Sequence, residues 1–351
     1  MTLVGDPALE TLFEPFAEGS LAWPAGGALF LQARDGWPLH RQALPGLVCA
    51  TDFKPDADAL QRSGCDVRTV ESLDGSPRYP LVLVLPPRQR EHARALFARA
   101  LAATAQDGIV IACASNDEGA KSAQADLARL AGPLQSHSKR HCRVFWSAPL
   151  QGPVDRELAA QWRDADQPRV IAEGRFRSRP GVFAWDRIDP ASALLAAHLP
   201  PELSGRGADL GAGFGVLAAE VLARCAGVTA LDLYEADARA LALARDNLAR
   251  TSDAALEFHW HDVTTGLPRT YDFIVSNPPF HAQGRADRPD IGRAFIAAAA
   301  NALRDGGRLL LVANRHLPYE AELAARFEQV RTLAQQGGFK VIDAVKSGPS
   351  R

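Results

Sequence analysis

The sequence predicts an α/β protein made of two tandem Rossmann-like halves, of which only the second keeps a ligand-binding turn. Three observations predict it. Short β-branched or leucine-rich runs alternate with alanine-rich helical stretches along the whole chain, as in a parallel sheet with crossover helices. One local pattern occurs twice. Leu81-Val-Leu-Val-Leu-Pro-Pro87 leads into an alanine-arginine helix, then Asp107-Gly108 and a strand. Phe273-Ile-Val-Ser-Asn-Pro-Pro279 leads into an alanine-rich helix, then Asp305-Gly306 and a strand. Such repetition marks a duplicated unit. Finally, the turn Asp209-Leu-Gly-Ala-Gly-Phe-Gly215 has no counterpart after the first strand of the earlier half. Leu85 also stands where the later half has Asn277, and a leucine side chain accepts no hydrogen bond, so the first copy has lost its chemistry.

Taken in order, the first half offers strands at 28–32, 47–51, 66–70, 81–85 and 109–112, with helical segments between them. The stretch from Leu150 to Gln167, with Pro149, Pro153 and Pro168 and several acids, reads as a link containing a short helix over 156–163. The expected division is therefore 1–155 for the degenerate domain and the start of the link, and 156–351 for the active one. The second half offers strands at 207–210, 228–234, 256–261, 273–276 and 308–313, with helices starting near Gly215, Ala236 and Arg293. A last hairpin includes Phe339–Val345.

A chain of 351 residues has room for two ordinary domains. Hydrophobic residues at 47% and charged residues at 23% exclude a disordered or fibrous protein. Met1–Phe16 carries acids and no basic region, and no apolar run is long enough to span a bilayer, so a soluble protein without membrane contact is expected. Five cysteines without CxxC pairs (Cys49, Cys65, Cys113, Cys142 and Cys225) read as reduced thiols in a cytoplasmic protein and offer no metal site. A net charge of −2 leaves nucleic-acid contact to local basic stripes. Three candidates are Lys139, Arg140, His141 and Arg143; Arg169, Arg175, Arg177, Arg179 and Arg187; and Arg285, Arg288 and Arg293. Taken singly, such a cluster is more often a solvated face than an RNA site.

The glycine turn carries the first chemistry. Glycines at alternate positions let the backbone turn sharply and let a ligand approach where a Cβ would collide. Dinucleotide folds use similar turns. Here the spacing is Gly-x-Gly-x-Gly, Asp209 precedes the first glycine by two residues, and Glu235 ends the next strand. An acid there can accept bonds from both ribose hydroxyls. Asp262, ending the third strand, is placed to reach an adenine amino group, or is a plain strand-end turn residue. Asp232 lies inside a strand and reads as structural. With the next motif counted, the ligand is S-adenosyl-L-methionine.

Asn277-Pro278-Pro279-Phe280 after the fourth strand is the most specific signal. The lone pair of an aromatic amine is delocalised into its ring, so the nitrogen is a poor nucleophile. Accepting both of its N–H bonds at fixed oxygens draws it toward tetrahedral geometry. The Asn277 side-chain oxygen and the Pro278 carbonyl can supply those oxygens and stabilise the cation that develops. Proline fixes φ, so little reorganisation is needed. Phe280 can stack on the target base, a contact worth about 1–3 kcal/mol, once that base is flipped out or unpaired. His281 either touches phosphate or base or packs in its loop. Phe280, His281 and Arg285 are the substrate-side candidates.

With these residues in hand, the chain resembles the bacterial ribosomal RNA guanine-N2-methyltransferases, the small-subunit (16S) group more than its large-subunit (23S) paralogue. The resemblance rests on Gly181-Val-Phe-Ala-Trp-Asp-Arg-Ile-Asp189, Asp209–Gly215, Asn277-Pro-Pro-Phe-His281, Val312-Ala-Asn-Arg-His-Leu-Pro-Tyr319 and Gly338-Phe-Lys-Val341. It implies two tandem class I methyltransferase domains, the first degenerate, acting on ribosomal RNA or a ribosomal subunit; a monomer is expected. It also implies that Gly211, Gly213, Glu235, Asp262 and Asn277 border S-adenosyl-L-methionine, that Asn277 and Phe280 face guanine, and that Phe183 covers the cofactor's methionine end. The chain departs from the family in having Ala191 two places after Asp189, where glycine is usual, and Phe214 where a small residue is commoner. Other readings are glutamine methylation on a protein, adenine methylation in DNA, and a non-catalytic RNA-binding assembly factor.

Overall fold

The computed structural model describes residues 5–73, 77–249, 253–279 and 289–348. Strands β1 (Ala28–Leu31), β2 (Leu47–Ala50), β3 (Asp66–Arg68), β4 (Tyr79–Val84), β5 (Thr104–Ser115), β6 (Leu134–Lys139) and β7 (Cys142–Ser147) form one sheet, in the order β3-β2-β1-β4-β5-β7-β6. A short hairpin follows, β8 (Arg169–Ile171) with β9 (Phe176–Ser178). Strands β10 (Ser204–Leu210), β11 (Gly227–Glu235), β12 (Ala255–Trp260), β13 (Tyr271–Ser276), β14 (Leu303–Asn314), β15 (Gln329–Gln336) and β16 (Phe339–Val345) form the second sheet, in the order β12-β11-β10-β13-β14-β16-β15. In each sheet the first five strands are parallel and the last two are an antiparallel hairpin.

The two sheets repeat each other down to single residues. Tyr79 pairs with Thr104, and after an irregularity Leu81 pairs with Ile109; Tyr271 pairs with Leu303, and after the same irregularity Phe273 pairs with Arg308. The glycine before each resumed pairing is packed alike. A Cβ on Gly108 would lie 2.9 Å from the Ala105 carbonyl oxygen and 3.0 Å from that of Pro80. One on Gly307 would lie 2.8 Å from the Arg304 oxygen and 3.2 Å from that of Asp272. This register corrects the sequence match by one position: Gly108 corresponds to Gly307, and Asp107 (φ 61°) holds the left-handed conformation that Gly306 (φ 73°) supplies in the second copy. Leu85 is the first residue after β4, as Asn277 is after β13, and it is buried in the first unit's core.

In the second unit Leu310 and Val312 join the core on one face of the sheet, Leu309 and Leu311 that on the other. Successive side chains point to opposite faces, and helices cover both. A strand buried on both sides must be apolar throughout, and this is why these segments read as continuous hydrophobic runs. The division expected after residue 155 lies later. The first unit comprises 1–167 with 179–181, and the second 168–178 with 182–351. The helix Arg156–Ala165 buries Leu158, Ala159 and Trp162 in the first unit's core, a stripe at helical spacing that the proline-rich surroundings disguised as a link.

Candidate active site at the carboxyl ends of the second sheet

The chain turns out of β10 through Gly211 (φ 72°), Gly213 (φ 55°) and Gly215 (φ 94°), left-handed conformations in which a Cβ is strained. The Gly211 and Ala212 amides donate to the Tyr234 carbonyl, at 2.9 and 3.1 Å, which ties the turn to the end of β11. Nothing lies within 4 Å of where a Gly213 Cβ would stand, so the backbone there is open to a ligand. Gly215 serves the fold instead. It opens the helix Val216–Arg224, and its Cβ would press Ala244 and Leu248 at 3.4 Å.

Glu235 ends β11 beside this turn. One of its carboxylate oxygens accepts the Gly213 amide and the other the Asp237 amide, each at 2.8 Å. A carboxylate offers about four lone-pair directions, so acceptor capacity remains for a ligand. Dense packing around the carboxyl pushes its pKa up to about 7 against the pull of those amides. Asp209 is fully buried under the turn, and neither of its oxygens has a hydrogen-bond partner of normal geometry. Burial raises its pKa to about 7, only partly relieved by the nearby Ala218 amide and reinforced by the charge of Glu235.

One strand over, Ser276 donates to the Leu210 carbonyl at 2.7 Å and locks the ends of β13 and β10 together. The next residue is Asn277. Its Nδ2 donates to Asp189 Oδ2 and to Ser192 Oγ, both at 2.9 Å, while its Oδ1 is buried with no partner. Asn277, Asp189 and Ser192 line a cleft together with Gly211, Gly213 and Phe214, and Phe183 stands at its rim, 69% exposed. Pro278 is buried and Pro279 exposed.

The methyltransferase small domain profile matches residues 173–343. A ribosomal RNA small subunit methyltransferase C from Psychromonas ingrahamii is 30% identical, over 89% of this chain and 89% of the relative. Its namesake from Pseudomonas paraeruginosa is 36% identical over 75% and 78%. The chain belongs to that family. A 16S rRNA N2 methyltransferase from T. thermophilus, solved with AdoMet and guanosine, superposes with a TM-score of 0.79 at 24% identity, covering 98% of this chain and 92% of that one. The fold is thus a tandem methyltransferase fold.

Among the family's expected contacts, the cleft lining includes Phe183, Gly211, Gly213 and Asn277 and omits Asp209, Gly215, Glu235 and Asp262. Asp209 lies beneath the turn, and Glu235 is behind the Gly213 amide. Asp262 lies two residues beyond the end of β12, and its Oδ1 caps the short turn after it by accepting from the Thr264 amide and hydroxyl. Phe280, His281 and Arg285 lie outside the described residues, as does Arg288. The other basic clusters are largely spent within their own units. Lys139 and Arg140 pair with Glu14, and Arg143 donates to Gln124. Arg175 pairs with Glu220, Arg187 pairs with Asp186, and Arg179 is buried against Asp166. Arg169 lies over the Trp185 ring, while Arg177 and, from the third cluster, Arg293 are exposed with no counter-ion among the described residues.

Sequence reading missed two supports of the site. Asn247 donates to the carbonyls of Phe214 and Arg177 and accepts the Arg177 amide, pinning the glycine turn to β9. Asp189 and Ser192 hold the Asn277 amide; their only local signal was an N-cap pattern, since Asp189 also accepts the Ser192 amide at the start of the helix Pro190–Ala197. A concavity of about 700 Å³ lies at the amino ends of the strands and is lined by Arg206, Arg269 and Arg304. Their charge is met by Asp232, Glu257 and Asp272. Asp232, Glu257 and His259 are close enough to hold a cation, but two guanidiniums already occupy that negative charge. Asp232 is structural, fully buried and bonded to the Tyr271 hydroxyl. No helix among the described residues is long and apolar enough to cross a membrane.

Proposed function

We propose that this chain methylates the exocyclic N2 of a specific guanine in small-subunit (16S) ribosomal RNA, with S-adenosyl-L-methionine as donor. The carrying observation is Asn277: a buried amide with both donors engaged and its acceptor vacant, at the mouth of a glycine-turn cleft. The residues present fit the donor. Gly213 leaves backbone exposed, Glu235 keeps lone pairs for ribose hydroxyls, and Phe183 can cover the methionine end. When bound, that cofactor supplies an electrophilic methyl group on a sulfonium.

The chain's own part is to make a weak nucleophile competent. Asn277 Oδ1 and the Pro278 carbonyl accept the two N–H bonds of the guanine amino group. They draw the nitrogen out of conjugation and face the positive charge it gains. A buried acceptor without a partner costs about 1–3 kcal/mol, and the substrate relieves that cost on arrival. Phe280 is assigned as stacking partner from its residue type and place in the motif. Asp262 is assigned to the adenine amino group, and His281 and Arg285 to the RNA side. The protein is read as a cytoplasmic monomer whose partner is ribosomal RNA or a ribosomal subunit.

Methyl-label transfer to purified ribosomal subunits and to protein-free rRNA, followed by nucleotide mapping, tests the reading. The expected product is N2-methylguanosine at one site of 16S rRNA. Label confined to 23S rRNA, to glutamine in protein or to DNA overturns it.

A further inference from the structure

Asn277 can perform the proposed reaction only if its amide faces one way, and side-chain amides flip easily in exposed sites. Here the orientation is decided by chemistry. Asp189 is a carboxylate, acceptor-only when ionised, and it lies 2.9 Å from the amide at a position that must therefore be the Asn277 nitrogen. Ser192 Oγ takes the second N–H at 2.9 Å. With both donors consumed, Oδ1 is the sole remaining polar atom, and it is the buried, unpartnered one.

We infer that Asp189 is a positioning residue for methyl transfer, with Ser192 as its auxiliary, acting through the amide of Asn277. The inference rests on the proposed function. Asp189 has two effects on the reaction. Its charge excludes the flipped rotamer, in which the Asn277 carbonyl oxygen would face a carboxylate while two N–H donors faced the substrate's own N–H bonds. It also polarises the amide: a charge-assisted hydrogen bond at nitrogen shifts electron density to Oδ1, so the acceptor strengthens as the substrate nitrogen turns cationic. Asp189 Oδ2 accepts the Ser192 amide as well, so the same atom starts the helix Pro190–Ala197 and aligns Asn277.

That shared duty dictates the test. Asparagine caps a helix about as well as aspartate, so Asp189→Asn keeps the cap while losing the charge and the obligatory acceptor. Single-turnover methyl transfer to the natural rRNA substrate should slow about 10- to 100-fold, with the melting temperature unchanged and the AdoMet affinity and RNA KM within twofold of wild type. Asp189→Glu should recover part of the rate, and Asp189→Asn in an Asn277→Ala background should cost nothing further. Unchanged turnover in Asp189→Asn, or a loss traced wholly to AdoMet affinity or to melting temperature, overturns the inference. A wild-type enzyme that transfers no methyl to rRNA guanine sinks the proposed function instead, so the two failures are distinguishable.

Discussion

At the scale of single residues, the site stores unfavourable electrostatics that a ligand can relieve. Asn277 Oδ1 lacks a partner, and Asp209 and Glu235 are carboxyls forced by burial to titrate near pH 7. Removing the acceptor should separate binding from chemistry: Asn277→Ala is expected to bind AdoMet normally and to lose about 100-fold or more in turnover, read by calorimetry and single-turnover transfer. The carboxyls make a pH prediction. Their folded pKa values lie above the ordinary 3.8 and 4.5, so the folded state holds more protons than the unfolded one between about pH 4 and 7. Their stabilising contribution is complete below pH 4 and is lost as pH rises through 7. The melting temperature of the ligand-free protein should therefore fall between pH 5 and 8, and Asp209→Asn should flatten that slope. A slope unaltered by the substitution would show that Asp209 is already ionised in the folded chain.

At the scale of elements, the turn between β10 and its helix divides its glycines between ligand and fold. Gly215 sits at φ 94° with Ala244 and Leu248 against it, so Gly215→Ala combines backbone strain with crowding and should cost about 1–2 kcal/mol of stability. Gly213 sits at φ 55° in open space, a conformation that a Cβ strains less than Gly215's. Gly213→Ala should cost about 1 kcal/mol or less in chemical denaturation while weakening AdoMet binding at least tenfold, because the methyl would occupy the ligand's path. Equal losses of stability at both positions would reject this division. Asn247 extends the same logic, since its three hydrogen bonds hold the turn to β9 without touching the cleft.

At the scale of the whole molecule, one topology is used twice and keeps its chemistry once. Both sheets run in equivalent strand order with the same irregularity between the fourth and fifth strands. The first has Leu85 in its core where the second presents Asn277, and its first strand is followed by Gln32-Ala33-Arg34, without a glycine cradle. Hydrogen exchange should therefore be asymmetric. AdoMet should protect amides in 210–217, 235–237 and 276–277, and should leave 32–36 and 85–88 unchanged. Protection in the first unit would reveal a second cofactor site and refute the assignment of that copy as degenerate.

By itself the sequence determined the five parallel strands of each sheet, the duplication and the Asn-Pro-Pro strand end, because each is written in local terms: hydrophobic period, glycine and proline spacing, and residue type. The first sheet's antiparallel hairpin, β6 with β7, went unread, since β6 is polar and exposed along most of its length. Tertiary structure alone decided three matters. Helix Arg156–Ala165 went to the first unit because Leu158, Ala159 and Trp162 found their core there. Gly108 was matched to Gly307 by pairing register, which no residue announces in isolation. The orientation of Asn277 depended on Asp189 and Ser192, more than eighty positions earlier in the chain. Local propensity carries no information about which distant side chain a folded sheet will bring within 2.9 Å.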